Sequence, residues 1–264
     1  MSPIINITTI LKMSQMDNLR VTKSNELITN RFNFTLNEYR IFLYGVSLIN
    51  PLDKEFPIEY EIELKTFAKM FSCDINGLYK DLKDDVLDRM FMRFMTTKDE
   101  SGKWKERIHL VRKISYCDSE SRIKIKFDEE IKPYVQQLSG HFTSYYLYQI
   151  AQFKSSYSIR FYEWCAMEIK KREGKPTQFF ISIQDIKEYL LLEKKYKKYS
   201  DLKKRVVQKA FDEINAFSDL SVRYEEIKKG RSVYQLKITV KYKKWEKKEE
   251  QFTFPFDPNL KLNE

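Results

Sequence analysis

Residues 199–211 read YSDLKKRVVQKAF, and residues 79–91 read YKDLKDDVLDRMF. When the two stretches are aligned with an offset of 120 residues, they share Tyr, Asp, Leu, Lys, Val and Phe at matching positions. Self-similarity at a fixed offset is typical of a duplicated structural unit. The sequence therefore predicts that one folding unit occurs twice in this chain.

The similarity extends to both sides of these stretches. ELKTFAKMF precedes the first copy and SIQDIKEYL precedes the second, and both carry apolar residues at helical spacing. After each copy come alternating apolar runs around a glycine-containing turn, ESGK in the first and KKGR in the second, which predict β-hairpins. The order short helix, long helix, hairpin is that of a winged helix-turn-helix. We predict an α+β fold with two tandem winged-helix domains related by internal duplication.

The predicted domains divide the chain into four parts. An N-terminal winged-helix domain is expected over residues 21–138 and a C-terminal one over residues 139–243. Residues 1–20 are expected to form a flexible arm. Residues 244–264 contain proline and mixed charge without a clear period, so we expect a mobile tail.

The sequence predicts three local features within these domains. The first domain should open with a helix near residues 36–49 that Pro51 ends. Residues 140–153, GHFTSYYLYQIAQF, are expected to form a connecting helix. The next helix should begin at a cap supplied by Ser155 or Ser156, because a serine oxygen accepts from the free amides of a first turn.

Composition excludes several classes of protein. The 264 residues are 42% hydrophobic, enough for two cores of ordinary size. No run of about 18 apolar residues and no secretion signal is recognised, so we expect a cytoplasmic protein without a membrane partner. The cysteines are three and scattered, which favours free thiols in a reducing compartment.

The sequence contains no recognisable catalytic, metal-binding or phosphate-binding motif. The histidines, His109 and His141, are too far apart for an HxH or HExxH metal pair, and the six glycines form no phosphate-binding P-loop. We therefore predict no catalytic residue, no metal and no cofactor.

The excess of positive over negative charge is confined to the second copy. The chain carries 48 basic and 38 acidic residues, and 18 of the basic and 8 of the acidic residues lie within residues 193–248. The remainder is neutral, with 30 residues of each sign. A basic surface restricted to one module is the pattern expected of a protein that binds a nucleic-acid backbone, although a solvated lysine-rich surface is the simpler alternative.

The helical period of residues 199–217 separates an apolar half from a polar half. The early outward residues of the second helix of a helix-turn-helix reach base edges, and arginine, glutamine and lysine can pair with guanine or adenine. On the second wing tip, basic residues flank a glycine. The predicted DNA-binding residues are Lys203, Lys204, Arg205, Gln208, Lys209, Lys228, Lys229 and Arg231.

The first copy has a different outward face. Asp84, Asp85 and Asp88, here the aspartate triplet, occupy the places of Lys204, Arg205 and Gln208. Phosphates would repel these carboxylates, so we expect the first helix to face protein rather than a groove. A secondary contact with the DNA backbone is expected from the hairpin that we interpret as the first wing. Its basic residues are Lys98, Lys103, Lys105 and Arg107.

The sequence resembles that of the iteron-binding replication initiators of plasmids. The resemblance rests on SSYSIRFYE (residues 155–163), on EIN (213–215), on KKGR (228–231) and on VTKSNELITNRFNFTLNEYRIFL (21–43). It covers roughly residues 20–243. The resemblance implies two winged-helix domains, with residues 199–217 as the base-reading helix and residues 228–231 as the phosphate-contacting wing. It gives Arg160, within SIRFYE, a structural role first and a phosphate contact second.

The resemblance also implies partners. Such initiators bind direct repeats of double-stranded DNA at a plasmid origin, promote opening of the adjacent AT-rich DNA and recruit the host replication initiator and the replicative helicase. Their homodimers, in equilibrium with monomers and formed mainly through the N-terminal domain, repress their own gene. Two other functions are alternatives. A tandem winged-helix transcriptional regulator would have the same DNA-binding face, whereas a rolling-circle nickase would need a histidine pair that this chain lacks.

Overall fold

The computed structural model describes residues 18–52, 59–99, 101–138 and 140–243. Most of the predicted N-terminal arm and all of the predicted tail lie outside the described residues. The helices are α1 (Asn25–Thr29), α2 (Leu36–Ser47), α3 (Leu64–Phe71), α4 (Ile75–Asp81, Leu82–Val86 and Leu87–Phe91), α5 (Lys132–Val135), α6 (Ser156–Lys171), α7 (Ile183–Tyr189) and α8 (Tyr199–Leu202, Lys203–Gln208 and Lys209–Phe217). The strands are β1 (Arg20–Ser24), β2 (Glu59–Glu63), β3 (Phe94–Lys98), β4 (Lys105–His109), β5 (Val111–Cys117), β6 (Arg122–Phe127), β7 (Phe142–Tyr146), β8 (Thr177–Ser182), β9 (Leu220–Lys229) and β10 (Ser232–Tyr242).

The same winged-helix unit occurs twice. The first copy runs α2, β2, α3, α4, β5, β6, and the second runs α6, β8, α7, α8, β9, β10. Each copy contains one three-stranded antiparallel sheet, in the order β2–β6–β5 or β8–β10–β9. In both sheets the strand before the helix pair lies beside the last strand of the unit. This shared topology confirms the predicted duplication and fold class.

The two long helices also share an irregularity that the sequence did not reveal. A π-helical segment occupies Leu82–Val86 in α4 and Lys203–Gln208 in α8. With the offset of 120 residues, the two segments overlap. π-Helical turns are uncommon and occur often at functional sites. In α8 this segment carries four of the residues predicted to contact DNA.

The interpretation of the first wing is wrong in one respect. Lys98, Lys103, Lys105 and Arg107 belong to the hairpin β3–β4, which forms a separate two-stranded sheet inserted between α4 and β5. The hairpin that corresponds to β9–β10 is β5–β6. Its tip, residues 118–121, carries Asp118 and Glu120 in place of the basic residues of the second wing. An intervening hairpin resembled the wing because both alternate in polarity around a turn.

The predicted connecting helix is also wrong. Residues 142–146 form β7, which pairs antiparallel with β1 from Phe142 opposite Ser24 to Tyr146 opposite Arg20. The sequence FTSYY buries every second side chain, as a strand with one face on the core does. A short 3₁₀ turn, Leu147–Ile150, follows. The β1–β7 pair crosses the predicted boundary between residues 138 and 139, and that boundary stays a prediction.

Two helix starts agree with expectation, but the first domain opens with β1 and α1 rather than with the helix near residues 36–49. α2 begins after Thr35, which forms a capping box with Glu38, and it ends at Ser47, before Pro51. α6 begins after Ser155, whose side chain accepts from the amide of Tyr157. Both caps satisfy amides that have no partner within the helix.

A buried polar cluster joins the two copies. Glu163 of α6 has no exposed surface and lies 2.6 Å from the ammonium of Lys23 in β1. It also accepts hydrogen bonds from Tyr39 of α2 and, at 2.5 Å, from Tyr145 of β7. Both oxygens of this carboxylate therefore accept hydrogen bonds, and a buried charge needs such partners to be stable.

Arg160, one turn earlier on α6, completes the junction. Its guanidinium lies 4.0 Å from the ring centroid of Tyr189 and donates to the carbonyl oxygen of Asn30 and to the hydroxyl of Tyr39. The residue is buried. These contacts agree with its predicted structural role, and the burial of the guanidinium disfavours a phosphate contact.

Candidate nucleic-acid interface

The long helix α8 is anchored by its apolar face. Leu202, Val206, Ala210 and Ile214 are almost completely buried, as the helical period predicts. The helical period also places Phe217 on this face, but about half of its surface is exposed, and it is the last residue of the helix. The helix is therefore fixed over most of its length, with its opposite face open to solvent.

Four of the predicted site residues lie on that open face. Lys204, Arg205, Gln208 and Lys209 are exposed. The three basic residues among them form no ion pair within the part of the chain that the structure describes. Their charges are consequently available to an anionic partner. Arginine and lysine presented this way suit guanine or phosphate.

Lys203 differs from its neighbours. Its ammonium lies 2.7 Å from a carboxylate oxygen of Glu226 on β9, and the hydroxyl of Tyr199 donates to the same oxygen at 2.9 Å. The hydrogen bond from Lys203 holds the pKa of Glu226 below its usual range, and the same bond raises the pKa of Lys203. This lysine therefore carries a charge that a neighbouring residue already neutralises.

Gln208 is also held by neighbours. Its amide nitrogen donates to Asp212 at 2.8 Å, and its amide oxygen accepts from the hydroxyl of Tyr224 at 2.9 Å. Tyr224 lies on β9, so this bond crosses from the sheet to the helix. The side chain of Gln208 points outward in one fixed orientation.

The second wing presents its basic residues at a tight turn. Lys228, Lys229 and Arg231 are exposed at the junction of β9 and β10. Gly230 between them has φ 63°, a left-handed conformation that glycine adopts without steric cost. Among the residues that the structure describes, no heavy atom outside the neighbouring residues lies within 4 Å of the place that a Cβ at Gly230 would take, so the wing can approach a phosphate backbone closely.

A further basic segment lies next to this site, and its residues are not among the predicted DNA-binding residues. The loop before α8 contains four exposed lysines, and it leads directly into the face described above. The signal was the run KKYKK, which contributes to the charge excess of residues 193–248. These lysines are Lys194, Lys195, Lys197 and Lys198.

The first copy is electrostatically different. Asp85 and Asp88 are exposed, and Asp85 forms an ion pair with Arg89 at 2.6 Å. The side chain of Asp84 lies outside the described residues. On the inserted hairpin, Lys98, Lys103, Lys105 and Arg107 are exposed, and the guanidinium of Arg107 lies 4.7 Å from the ring centroid of Phe94. Whether any of these residues contacts DNA stays a prediction.

Two features of the described residues bear on other classes of function. No helix there is long and apolar enough to cross a membrane. No three His, Cys, Asp or Glu side chains in the same part of the chain are grouped so that they could hold a metal ion.

Comparison with known proteins places this arrangement in a family. Residues 20–166 match the family model described as initiator replication protein, WH1, and residues 182–240 match that described as initiator Rep protein, WH2. A replication initiation protein of Escherichia coli is 27% identical over 223 residues, which cover 82% of this chain and 67% of that protein. The crystal structure of Pi initiator protein in complex with iteron DNA superposes with a TM-score of 0.73 at 20% identity.

The superposition covers 86% of this chain and 99% of the Pi chain, so the two share a fold across both winged-helix units. The WH1 match alone spans more than half of the present chain. This chain belongs to the replication initiator family of plasmids, whose members carry tandem WH1 and WH2 winged-helix domains and which its sequence resembled.

Proposed function

We propose that this chain initiates plasmid replication in the cytoplasm by binding directly repeated elements, or iterons, in double-stranded DNA at an origin. The observation that carries the proposal is the asymmetry between the two long helices. α8 exposes Lys204, Arg205 and Gln208, whereas α4 carries the aspartate triplet at the corresponding places. The family membership and the iteron complex of the structurally similar Pi protein support the same function.

The proposed docking follows from the shape of the second unit. A helix enters the major groove with its early outward residues against base edges, where arginine pairs bidentately with guanine. The basic wing then lies along the backbone and contributes mainly sequence-independent affinity. Lys203 contributes less than its neighbours, because Glu226 already holds its ammonium.

The test is charge reversal on the reading face. The double variant Lys204→Asp, Arg205→Asp should lose specific binding to origin DNA, because two attractive charges become repulsive at the groove. The matched control is Lys171→Asp, Arg172→Asp at the end of α6, which makes the same net-charge change on two exposed residues. Titrations must use one salt concentration, since ionic strength alone shifts such affinities. Specific binding that survives the first variant would refute the docking.

The proposal includes the later steps that the family implies. We expect the bound protein to promote origin opening, to recruit the host initiator and the replicative helicase, and to repress its own gene as a homodimer. A plasmid with the origin alone, supplied with this chain in trans, should replicate. The charge-reversed variant should not support replication. Specific binding without replication would instead favour a transcriptional regulator.

A further inference from the structure

The side chain of Gln208 is connected to two residues that have no predicted role. Asp212 lies one turn later on α8 and accepts from the Gln208 amide nitrogen at 2.8 Å. Tyr224 lies on β9 and donates to the Gln208 amide oxygen at 2.9 Å. The ring of Tyr224 packs edge-on against buried Phe211, with 5.3 Å between ring centroids. The tyrosine is thus anchored in the core while its hydroxyl reaches the reading face.

These contacts determine which way the amide faces. A carboxylate only accepts hydrogen bonds, so Asp212 requires the NH₂ end of Gln208 on its side. The oxygen end then faces Tyr224, whose hydroxyl can donate to it. Burial raises the pKa of Tyr224, which keeps the hydroxyl protonated as a donor. Both partners are satisfied in this orientation, whereas the flipped amide would place its oxygen against the carboxylate of Asp212, which has no hydrogen to donate.

The remaining hydrogen-bonding capacity of Gln208 matches one base. An amide has two N–H donors and two lone pairs on its oxygen, so one donor and one acceptor stay free after these bonds. In the major groove adenine presents the N7 acceptor beside the N6 donor, and glutamine pairs with both at once. A glutamine without fixed orientation would have to lose its rotamer freedom on binding. Here the freedom is already lost in the folded protein.

Strand β9 organises more than one residue of this face. Tyr224 and Glu226 are two residues apart on the strand, so their side chains point to the same side. One holds Gln208, and the other holds Lys203 and Tyr199. The sheet therefore sets the arrangement of side chains along the first turns of α8, beyond supporting the helix as a whole.

We propose that Tyr224 and Asp212 are positioning residues for sequence specificity, which fix the amide of Gln208 for recognition of an adenine. The proposal rests on the proposed function, in which α8 lies in the major groove. It assigns specificity to a tyrosine that need not touch DNA.

The experiment starts by selecting the preferred site from random duplexes of about 20 base pairs, two turns of B-DNA. Every single-base variant of that site is then titrated against the wild type and against Tyr224→Phe, which keeps the ring and removes the hydroxyl. We expect preference for adenine at one position to fall roughly three- to tenfold, the effect of losing one neutral hydrogen bond. Preferences elsewhere and affinity for unrelated duplex should not change. Tyr234→Phe, the same chemical change at an exposed position of β10, is the matched control.

Two further variants separate positioning from a general defect. In a Gln208→Ala background, Tyr224→Phe should have no additional effect, because the side chain that it orients is gone. Asp212→Ala removes the acceptor, so it should lower the same preference while raising affinity for unrelated duplex, since one negative charge is removed near the phosphates. A folding defect would lower both.

The outcomes distinguish this inference from the proposed function. A wild type with clear base preferences and a Tyr224→Phe profile identical to it would overturn the inference and leave the proposed function intact. An equal effect of Tyr224→Phe with and without Gln208 would overturn it as well. A wild type without any base preference would overturn both.

Discussion

Glu163 offers a sharp test of how the two winged-helix units are held together. Its carboxylate is fully buried and lies 2.6 Å from the ammonium of Lys23, which is also buried. Glu163→Gln keeps the shape but replaces one of the two accepting oxygens with an NH₂ group, so only one of the bonds from Tyr39 and Tyr145 is kept, and Lys23 is left as a buried cation without a counter-ion. Breaking a buried pair in this way costs about 3–5 kcal/mol in the free energy of unfolding. For a chain of this size that lowers the melting temperature by roughly 10 °C.

The loss should depend on pH in a defined direction. Burial, the largest cause, already lowers the pKa of Lys23, and Glu163 opposes that shift. Removing Glu163 leaves burial and the charge of Arg160, so the pKa falls further and the folded state binds fewer protons than the unfolded state. Stability then rises with pH up to the unfolded pKa of lysine, about 10.4. The deficit relative to the wild type should therefore be largest near neutral pH and smaller at about pH 9.5.

Urea denaturation at the two pH values measures this effect. Glu225→Gln is the matched control, because Glu225 is exposed and forms a long surface ion pair, 3.7 Å from the ammonium of Lys237. It should change the unfolding free energy by less than about 1 kcal/mol. Adding Lys23→Met to Glu163→Gln should recover much of the loss, since the unpaired charge is gone. A deficit that does not change with pH and is not recovered would refute the explanation.

The remaining predictions concern DNA binding. Lys229→Ala should weaken binding to all duplexes alike and reduce the log–log salt slope by about 1; an unchanged slope with lost specificity would mean that the wing reads bases. Lys204→Ala should cost more affinity than Lys203→Ala, because Glu226 neutralises Lys203; equal losses in the same titration would contradict this. Replacing the aspartate triplet with asparagine should change DNA affinity at fixed salt by no more than the altered net charge explains. Any larger change should appear in self-association. A folded, monomeric triplet variant without specific binding would show that α4 contacts DNA.

The sequence by itself determined the repeated unit and the charged face of α8. Both are local properties. Leu202, Val206 and Ala210 recur with the helical period, so their burial and the exposure of Lys204 and Arg205 follow from spacing alone. The capping serine before α6 was readable for the same reason, because a cap bonds to amides only two or three residues away.

Only the tertiary structure decided which elements pair. Residues 142–146 form a strand because β1, more than 100 residues earlier, supplies its hydrogen-bonding partner. The true first wing, β5–β6, is identified by its place beside β2, whereas the inserted hairpin β3–β4 has the same local pattern. The alternation of apolar and polar residues indicates that a stretch forms a strand, but it does not indicate which other strand pairs with it.

The side chains that complete the site were hidden for the same physical reason. Glu163 meets Tyr39 across 124 positions, and Tyr224 meets Gln208 across 16. Hydrogen bonds of this kind depend on the approach of two elements and leave no periodic trace in either one. The sequence thus determined which face of α8 is charged, whereas the packing of β9 against that helix decided that Lys203 is neutralised and that Gln208 is held in one orientation.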